Sequence, residues 1–208
     1  MNARTLAFVL AAAGCGTEGP PIGPYENPST ALLVLDLQRD FLEPGGRLPV
    51  AADQVEPMLG AVRATETGAR AAGAAVVQIE NGFAPDDAAN PFRNQAAVRG
   101  TAGAEWDPRI PLDADARFTK ASADAFSVAE LDAWLRERRV SHVVLPGVYA
   151  DGCVLSTSLG ARNRRYRVSV VAPAVAAATG EARRAALESM RSHGVEVVER
   201  PEQVDWSP

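Results

Sequence analysis

Cys153 is the residue of this chain whose type and position point most directly to chemistry. It lies in the segment Pro146-Gly-Val-Tyr-Ala-Asp-Gly-Cys153, after an apolar run and before a segment with helical periodicity. A thiol at such a strand-to-helix turn lies near the positive end of a helix dipole, which lowers its pKa. The unpaired N–H groups of the turn also offer a site for an oxyanion. Cys153 is therefore a candidate nucleophile, although a free cysteine is more often a small buried apolar residue.

Asp36 and Lys120 are the charged residues that we expect to act with Cys153. Asp36 follows a run of apolar residues, and Lys120 follows another short apolar segment. Each alone has an ordinary interpretation, as a carboxylate that caps a turn and as a solvated lysine. Together they supply a base for the thiol proton and a cation that stabilises both anions. His142 and His193 open a strand and close a helix, so we interpret both as structural or solvated.

Apolar runs that alternate with helix-period segments predict the elements that position these residues. Six strands are expected at residues 31–36, 74–79, 116–119, 142–145, 167–171 and 195–198, with helices at 51–72, 127–138, 153–165 and 180–192. This alternation predicts βαβ units, a mainly parallel sheet and right-handed crossovers. Ligands bind beyond the carboxyl ends of such strands, where Asp36, Lys120 and the turn before Cys153 all fall. The long stretch at 80–115 has little regular pattern, which is typical of a functional loop.

Length and charge limit the class of protein. The chain has 208 residues, of which 47% are hydrophobic, and this fits one domain with a full-sized core. A net charge of -5 offers no basic face for phosphates, so we expect no nucleic acid partner. The basic cluster at residues 162–167 closes a predicted helix, where cations complement the dipole. The two cysteines form no disulfide framework, and no Cys/His pair has the spacing of zinc ligands.

The first fifteen residues differ in kind from the rest. A positive charge at Arg4 precedes an apolar stretch too short to span a bilayer, and Cys15 follows small residues. This segment resembles a bacterial lipoprotein signal peptide, with Ala12 where leucine is usual. The resemblance implies lipid on Cys15, export, and a domain anchored to a membrane without spanning it. Residues 16–30, rich in Gly and Pro, are then a flexible linker, and residues 31–208 the domain. The alternative is a frayed extension of a cytoplasmic protein.

Four motifs that occur in order resemble those of the isochorismatase-like cysteine hydrolases. They are Asp36-Leu-Gln-Arg-Asp-Phe41, Gly100-Thr-Ala-Gly-Ala-Glu105, Lys120 with Phe126, and Gly147-Val-Tyr-Ala-Asp-Gly-Cys-Val154 with Thr157. The resemblance covers residues 31–198 and implies a Rossmann-like, three-layer αβα fold around a six-stranded, mainly parallel sheet. It further implies a catalytic triad of Asp36, Lys120 and Cys153. It also implies a cis peptide between Val148 and Tyr149, and an oxyanion hole formed by the N–H groups of Tyr149 and Cys153.

The resemblance predicts a hydrolase that cleaves a C–N bond of a small amide, carbamoyl or ureido compound through a thioester. Isochorismatases that cleave a vinyl ether lack the cysteine, so the presence of Cys153 favours C–N cleavage. The nicotinamidase branch binds a metal through an Asp and histidines after the second strand, but residues 80–87 contain no His. We therefore expect no metal and no cofactor. The partner expected is a small-molecule substrate, and because relatives are commonly oligomeric, the resemblance also implies a homo-oligomer.

Three aromatic residues are candidates to line the substrate pocket, namely Phe41, Trp106 and Tyr149. Aromatic side chains dominate cores as well as pockets, so a purely structural role is the alternative for each. Asp124 departs from the family pattern, in which serine is common at this position. Two other functions stay open at this point: a lipid-anchored domain that binds a small molecule without catalysis, and an ether hydrolase of the isochorismatase type.

Overall fold

Strands alternate with helices along the chain, as the hydrophobic pattern predicts. The computed structural model describes residues 16–208, so the predicted signal peptide at residues 1–15 and the lipidation site Cys15 lie outside the described residues. The strands are β1 (Ser29–Leu35), β2 (Ala75–Asn81), β3 (Ala116–Lys120), β4 (Val140–Val144), β5 (Gly147–Val148), β6 (Arg167–Val171), β7 (Val175–Ala176) and β8 (Glu196–Val198). The α-helices are α1 (Arg39–Leu42), α2 (Ala52–Ala71), α3 (Ala129–Glu137), α4 (Leu155–Asn163) and α5 (Gly180–Ser192).

One sheet contains all of these strands, and its main path has the order β3-β2-β1-β4-β6-β8. The pairings of the named strands are parallel. The path reverses direction between β1 and β4, and this is where an open parallel sheet forms its ligand-binding crevice. The six predicted strands are those of the main path. Sequence reasoning missed β5 and β7, because two-residue strands carry no readable periodicity.

Helices cover both faces of the sheet, which gives the three-layer αβα fold. Alternate residues of β1 enter different cores: Leu33 and Leu35 pack with α3, α4 and α5, whereas Leu32 and Val34 pack with α2. Side chains of a strand point to opposite faces in turn, so a strand buried on both faces is apolar throughout. The continuous apolar run of β1 is therefore the sequence signature of its central position.

Two segments differ from regular structure. The loop between β2 and β3 contains only short 3-10 turns at Asn90–Arg93 and Ala102–Ala104. At the other end of the domain, Ser29 and Thr30 belong to β1, although the sequence assigned them to the linker. The part of that predicted linker at residues 16–22 is attached to the domain by hydrogen bonds. Within residues 16–208, none of the helices has the length and apolar character that crossing a membrane requires.

Candidate active site

The structure brings Asp36, Lys120 and Cys153 together at the carboxyl edge of the sheet. Lys120 Nζ lies 2.9 Å from Asp36 Oδ2 and 3.2 Å from Cys153 Sγ. The Lys120 and Asp36 side chains are 0% and 1% exposed, and Cys153 is half-buried. The ammonium group thus contacts both the base and the nucleophile that were predicted from separate segments of the chain.

Asp36 is positioned by the end of β1. Its backbone has a φ of 58°, in the left-handed region that Asp and Asn enter more readily than most residues. The N–H of Asp36 donates to Ile79 O at 2.8 Å, and its carbonyl accepts from Gln38 N at 2.8 Å. This turn ends the strand and directs the chain into α1. Neither carboxylate oxygen receives a well-aligned hydrogen bond from the described residues, so lone pairs remain for a thiol proton.

Cys153 is positioned by β5 and by the turn that leads into α4. Gly147 in β5 has a φ of 135°, and a Cβ on it would lie 2.1 Å from Leu35 O. Only glycine therefore permits this approach of β5 to β1. The peptide between Val148 and Tyr149 is cis, as the resemblance implied. A π-helical turn at Ala150–Val154 follows and carries the cysteine into α4.

The predicted oxyanion hole requires backbone N–H groups near Cys153 that do not already donate to the protein. The N–H groups of Gly152 and Val154 both donate to Tyr149 O, at 3.0 Å each. The Cys153 N–H lies between these two groups in the chain. Within the described residues it does not donate to Tyr149 O. The first N–H groups of a helix lack partners within the helix, so they are available to an anion. The role of the Tyr149 and Cys153 amides as an oxyanion hole stays a prediction.

The ionisation of the site differs from the sequence expectation. Burial and the charge of Asp36 raise the pKa of the Cys153 thiol to about 11, although Lys120 acts in the opposite direction. Burial also raises the pKa of Asp36. Burial alone would lower the pKa of Lys120, but Asp36 and Cys153 outweigh it and raise that pKa. The expected lowering of the thiol pKa by the helix dipole is therefore wrong, because burial and a neighbouring carboxylate oppose it more strongly.

Asn81 is a residue of this site that sequence reasoning missed. It ends β2 and pairs in register with Lys120 at the end of β3. Its Oδ1 accepts from Lys120 Nζ at 2.8 Å, and its Nδ2 lies 3.8 Å from Cys153 Sγ. Gln38 holds the backbone of Asn81, since its amide accepts from Asn81 N at 2.9 Å and donates to Asn81 O at 2.8 Å. The sequence signal that could have identified Asn81 is an amide side chain at the end of β2.

Asp40, the second carboxylate of the first motif, has a structural environment. It is buried, and its carboxylate accepts from Ala97 N at 2.8 Å and Arg47 N at 3.2 Å. A Cβ on Gly103 would lie 2.1 Å from Asp40 Oδ1. Asp40 therefore holds the first motif to the loop between β2 and β3, and it lies against Gly103 of the glycine motif at residues 100–105.

The three aromatic candidates lie in different surroundings. Phe41 and Tyr149 form an edge-to-face pair with ring centroids 5.8 Å apart, and the Tyr149 hydroxyl donates to Leu48 O. Tyr149 directly precedes the π-helical turn that carries Cys153, so this ring pair lies next to that turn. Trp106 packs against the α2 core and donates its indole N–H to Ile110 O at 2.7 Å. A role in the pocket stays a prediction for all three.

The residues present do not fit the metal site of the nicotinamidase branch. No group of three or more His, Cys, Asp or Glu residues within residues 16–208 could hold a metal ion. In the loop after β2, Asp87 pairs with Arg93 and accepts from Ala89 N at 2.8 Å. The Asn81 side chain is engaged by Lys120. Asp87 and Asn81 are therefore already engaged by the side chains of Arg93 and Lys120.

Comparison with known proteins shows similarity along most of the chain. A family model described as the isochorismatase domain matches residues 30–202. The structure is similar to N-carbamoylsarcosine amidase from Thermoplasma acidophilum, with 30% identity, a TM-score of 0.73, and coverage of 85% of this chain and 99% of that one. It is similar to the pyrazinamidase of Pyrococcus horikoshii, solved with zinc, with 30% identity, a TM-score of 0.74 and coverage of 82% and 99%.

A nicotinamidase from Bacillus subtilis is also similar, with 26% identity, a TM-score of 0.75, and coverage of 82% of this chain and 100% of that chain. The match of the family model includes all of β1 after Ser29, Asp36 directly after that strand, and both Lys120 and the Cys153 turn. Sequence motifs, sheet order and family model agree. The chain therefore belongs to the isochorismatase family and is a hydrolase of that family.

Proposed function

We propose that this protein is a cysteine-dependent hydrolase that cleaves a C–N bond of a small amide, carbamoyl or ureido compound through a thioester. The observation that carries the proposal is the contact of the Lys120 ammonium with both Asp36 and Cys153 in a buried site. A nucleophile, a base and a cation within hydrogen-bonding distance are what acyl transfer by a thiol requires. The similar amidases named above act on amides, and this supports the class of bond.

Acylation starts from a neutral thiol, because the pKa of Cys153 is about 11. As the sulfur attacks the substrate carbonyl carbon, Asp36 accepts the thiol proton and Lys120 stabilises the developing negative charge. The oxyanion of the tetrahedral intermediate accepts hydrogen bonds from the Tyr149 and Cys153 amides. Collapse of the intermediate breaks the C–N bond, and Asp36 returns its proton to the leaving nitrogen. The products of this half-reaction are an amine or ammonia and a thioester on Cys153.

Deacylation reuses the same groups. A water molecule attacks the thioester carbonyl, and Asp36 accepts one proton from this water. The intermediate collapses with cleavage of the C–S bond, and Asp36 returns the proton to the sulfur. The acid leaves, and the neutral thiol and the Asp36–Lys120 ion pair are restored. The elevated pKa of Asp36 suits a group that must bind and release a proton in each half-reaction.

Turnover of a panel of small amides, carbamoyl and ureido compounds, followed by release of ammonia or amine, tests the proposal. Cys153→Ala should lower turnover by at least about a thousandfold while the thermal unfolding curve stays cooperative. A vinyl ether in the same panel tests the ether-hydrolase alternative. Hydrolysis of any panel member by Cys153→Ala at the wild-type rate would contradict the thioester mechanism.

Alkylation of Cys153 by iodoacetamide, measured on the peptide that contains this residue, tests whether the charge of Asp36 raises the pKa of the thiol. The wild-type thiol should react slowly at pH 8, with the rate rising as the pH approaches about 11. Asp36→Asn removes the charge that raises this pKa and leaves Lys120, so alkylation at pH 8 should become faster while turnover is lost. Asp151→Asn is a matched control on an exposed carboxylate in the nucleophile turn and should react like wild type. Equal alkylation rates in all three proteins would contradict the proposed role of Asp36 as the base for Cys153.

A further inference from the structure

We propose that residues 16–22 form a strap that binds a receptor on the hydrolase domain, and that this receptor consists of Asp124 and Arg164. The strap, rather than a free linker, then determines where the N-terminal segment leaves the domain. Composition alone suggested the opposite, since Gly and Pro are abundant at residues 16–30. The hydrogen bonds of the strap involve none of Asp36, Lys120 and Cys153, so the proposal does not rest on the proposed reaction.

Thr17 is held from both sides. Asp124 Oδ2 accepts hydrogen bonds from the Thr17 N–H and from the Thr17 hydroxyl, at 2.7 Å each. The Arg164 guanidinium donates to Thr17 O at 2.7 Å and to Glu18 O at 3.0 Å. Asp124 thus binds the donors of Thr17, and Arg164 binds its carbonyl. Together the two side chains recognise the backbone of the strap.

The receptor groups are buried charges that need these partners. Asp124 is 3% exposed and Arg164 is 5% exposed. Among the described residues outside the strap, Asp124 also accepts from Phe126 N at 2.8 Å, and Arg164 donates to Gly160 O at 3.0 Å. A buried charge is costly unless hydrogen bonds compensate it. Arg164 Nε also lies 3.5 Å from Asp132 Oδ2. The strap adds donors to the Asp124 carboxylate and acceptors to the guanidinium, and so completes the hydrogen bonding of both buried groups.

The first residue of the strap fits closely against α4. A Cβ on Gly16 would lie 1.9 Å from Gly160 N, and a Cβ on Gly160 would lie 2.2 Å from Asp124 Oδ2. The Gly16 carbonyl accepts from Asn163 Nδ2 at 2.9 Å. Gly16 is needed because its backbone approaches the Gly160 backbone, and Gly160 is needed because the Asp124 carboxylate occupies the space of its Cβ. A chance surface contact of a free linker would not require them.

The far end of the strap is also attached. Ile22 N donates to Arg164 O at 2.8 Å, and the Ile22 side chain packs against the core beneath α3 and α4. Between the two ends, Arg136 of α3 donates to the carbonyls of Pro20 and Pro21. The strap is therefore bound along its length, with apolar burial at one end and paired charges at the other.

The two receptor residues belong to the segments that follow β3 and α4. Asp124 follows β3, which ends at Lys120, and Arg164 follows α4, whose N-terminal turn carries Cys153. The strap is bonded to both segments. If residues 16–28 were free, this segment could extend about 45 Å from the domain. With the strap bound, Gly16 itself lies directly beside Gly160.

Two glycine-to-alanine variants of the full chain test the strap. Gly16→Ala places a methyl group against the Gly160 backbone, whereas a Cβ on Gly23 would meet nothing within 4 Å. The readouts are the rate of cleavage after exposed Glu18 by a Glu-specific protease and hydrogen exchange of the Thr17 amide. Gly16→Ala should accelerate both by about tenfold or more, and Gly23→Ala should match wild type. Equal rates in Gly16→Ala and Gly23→Ala would overturn the proposal.

Thr17→Val separates the receptor contact from the glycine packing. It removes the hydroxyl that donates to Asp124 and keeps the backbone N–H, so cleavage after Glu18 should accelerate about tenfold. Thermal unfolding should remain cooperative, because the substitution lies outside the core of the domain. Wild-type cleavage of Thr17→Val would contradict a contribution of the hydroxyl contact with Asp124 to binding of the strap. Neither readout needs turnover, so a failure of the proposed hydrolysis leaves this test unaffected.

Discussion

Asn81 shows how a single neutral side chain organises the charged groups of this site. Its amide contacts Lys120 and faces Cys153, and Gln38 fixes its backbone through a pair of hydrogen bonds. The Lys120 ammonium thus has three neighbours: the Asp36 carboxylate, the Asn81 amide oxygen and the Cys153 sulfur. We therefore predict that Asn81 is a positioning residue, which acts on the proposed reaction through the direction of Lys120.

Asn81→Ala should lower kcat by about 10- to 100-fold, because a buried cation loses an acceptor, at a cost of about 1.5–3 kcal/mol. The KM should change less than kcat, since Asn81 contacts the triad. Measurement of kcat and KM on an amide from the panel, together with the pH profile of Cys153 alkylation, checks this prediction. An unchanged kcat and an unchanged alkylation profile would show that the contact is only structural.

At the scale of elements, β5 is the short strand that delivers the nucleophile turn to the crevice. Gly147 pairs with Leu35 of β1, and Val148 pairs with Ala176 of β7. Because β1 also leads into Asp36, this pairing sets the base and the nucleophile turn side by side. A strand of two residues cannot be recognised from periodicity, and its position depends on the backbone conformation of Gly147.

Gly147→Ala should destabilise the protein by about 3 kcal/mol or more, because the new methyl group meets a backbone carbonyl at a φ that alanine avoids. Gly60→Ala is the matched control, since it lies on the exposed side of α2 with nothing within 4 Å of its Cβ. That control should stabilise the protein by up to about 1 kcal/mol. Urea unfolding of both variants measures the difference, and equal stabilities would contradict the assigned close contact.

At the scale of the whole molecule, His142 contributes to stability from within the sheet. It is buried in β4, and its Nε2 lies 2.8 Å from Ser169 Oγ, which donates to Glu196 at 2.9 Å. Burial and then the charge of Arg167 lower its pKa from 6.5 to about 4. The structural role that the sequence suggested for this histidine agrees with its burial.

The free energy of unfolding should therefore fall as the pH decreases from about 6.5 to about 4, by about 1.4 kcal/mol per pH unit from this residue alone. In that window the unfolded chain binds a proton on His142 and the folded chain does not, so acid favours unfolding. His142→Gln removes this titration, and its stability should depend less steeply on pH over the same range. Urea unfolding at several pH values gives both slopes, and identical slopes would contradict the lowered pKa.

The sequence was most informative where local patterns report burial on two faces. Apolar runs identified the six main strands, and the order of four motifs indicated Asp36, Lys120 and Cys153 as the reactive residues. It was least informative about Asn81, β5 and the strap. Asn81 is neutral, β5 has two residues, and the strap has the composition of a linker. None of these has a local signature, because each depends on partners distant in the chain.

The sequence by itself therefore determined the alternation of strands and helices and the family resemblance, and it predicted Asp36, Lys120 and Cys153 as the reactive residues. Only the tertiary structure decided how those residues ionise and what positions them. The thiol pKa depends on burial and on the distance to Asp36, and both arise from strands that meet after folding. The attachment of residues 16–22 likewise depends on Asp124 and Arg164, which are more than a hundred residues away. The energies of burial and of these contacts depend on residues that are distant in the chain, so no short segment of the sequence predicts them.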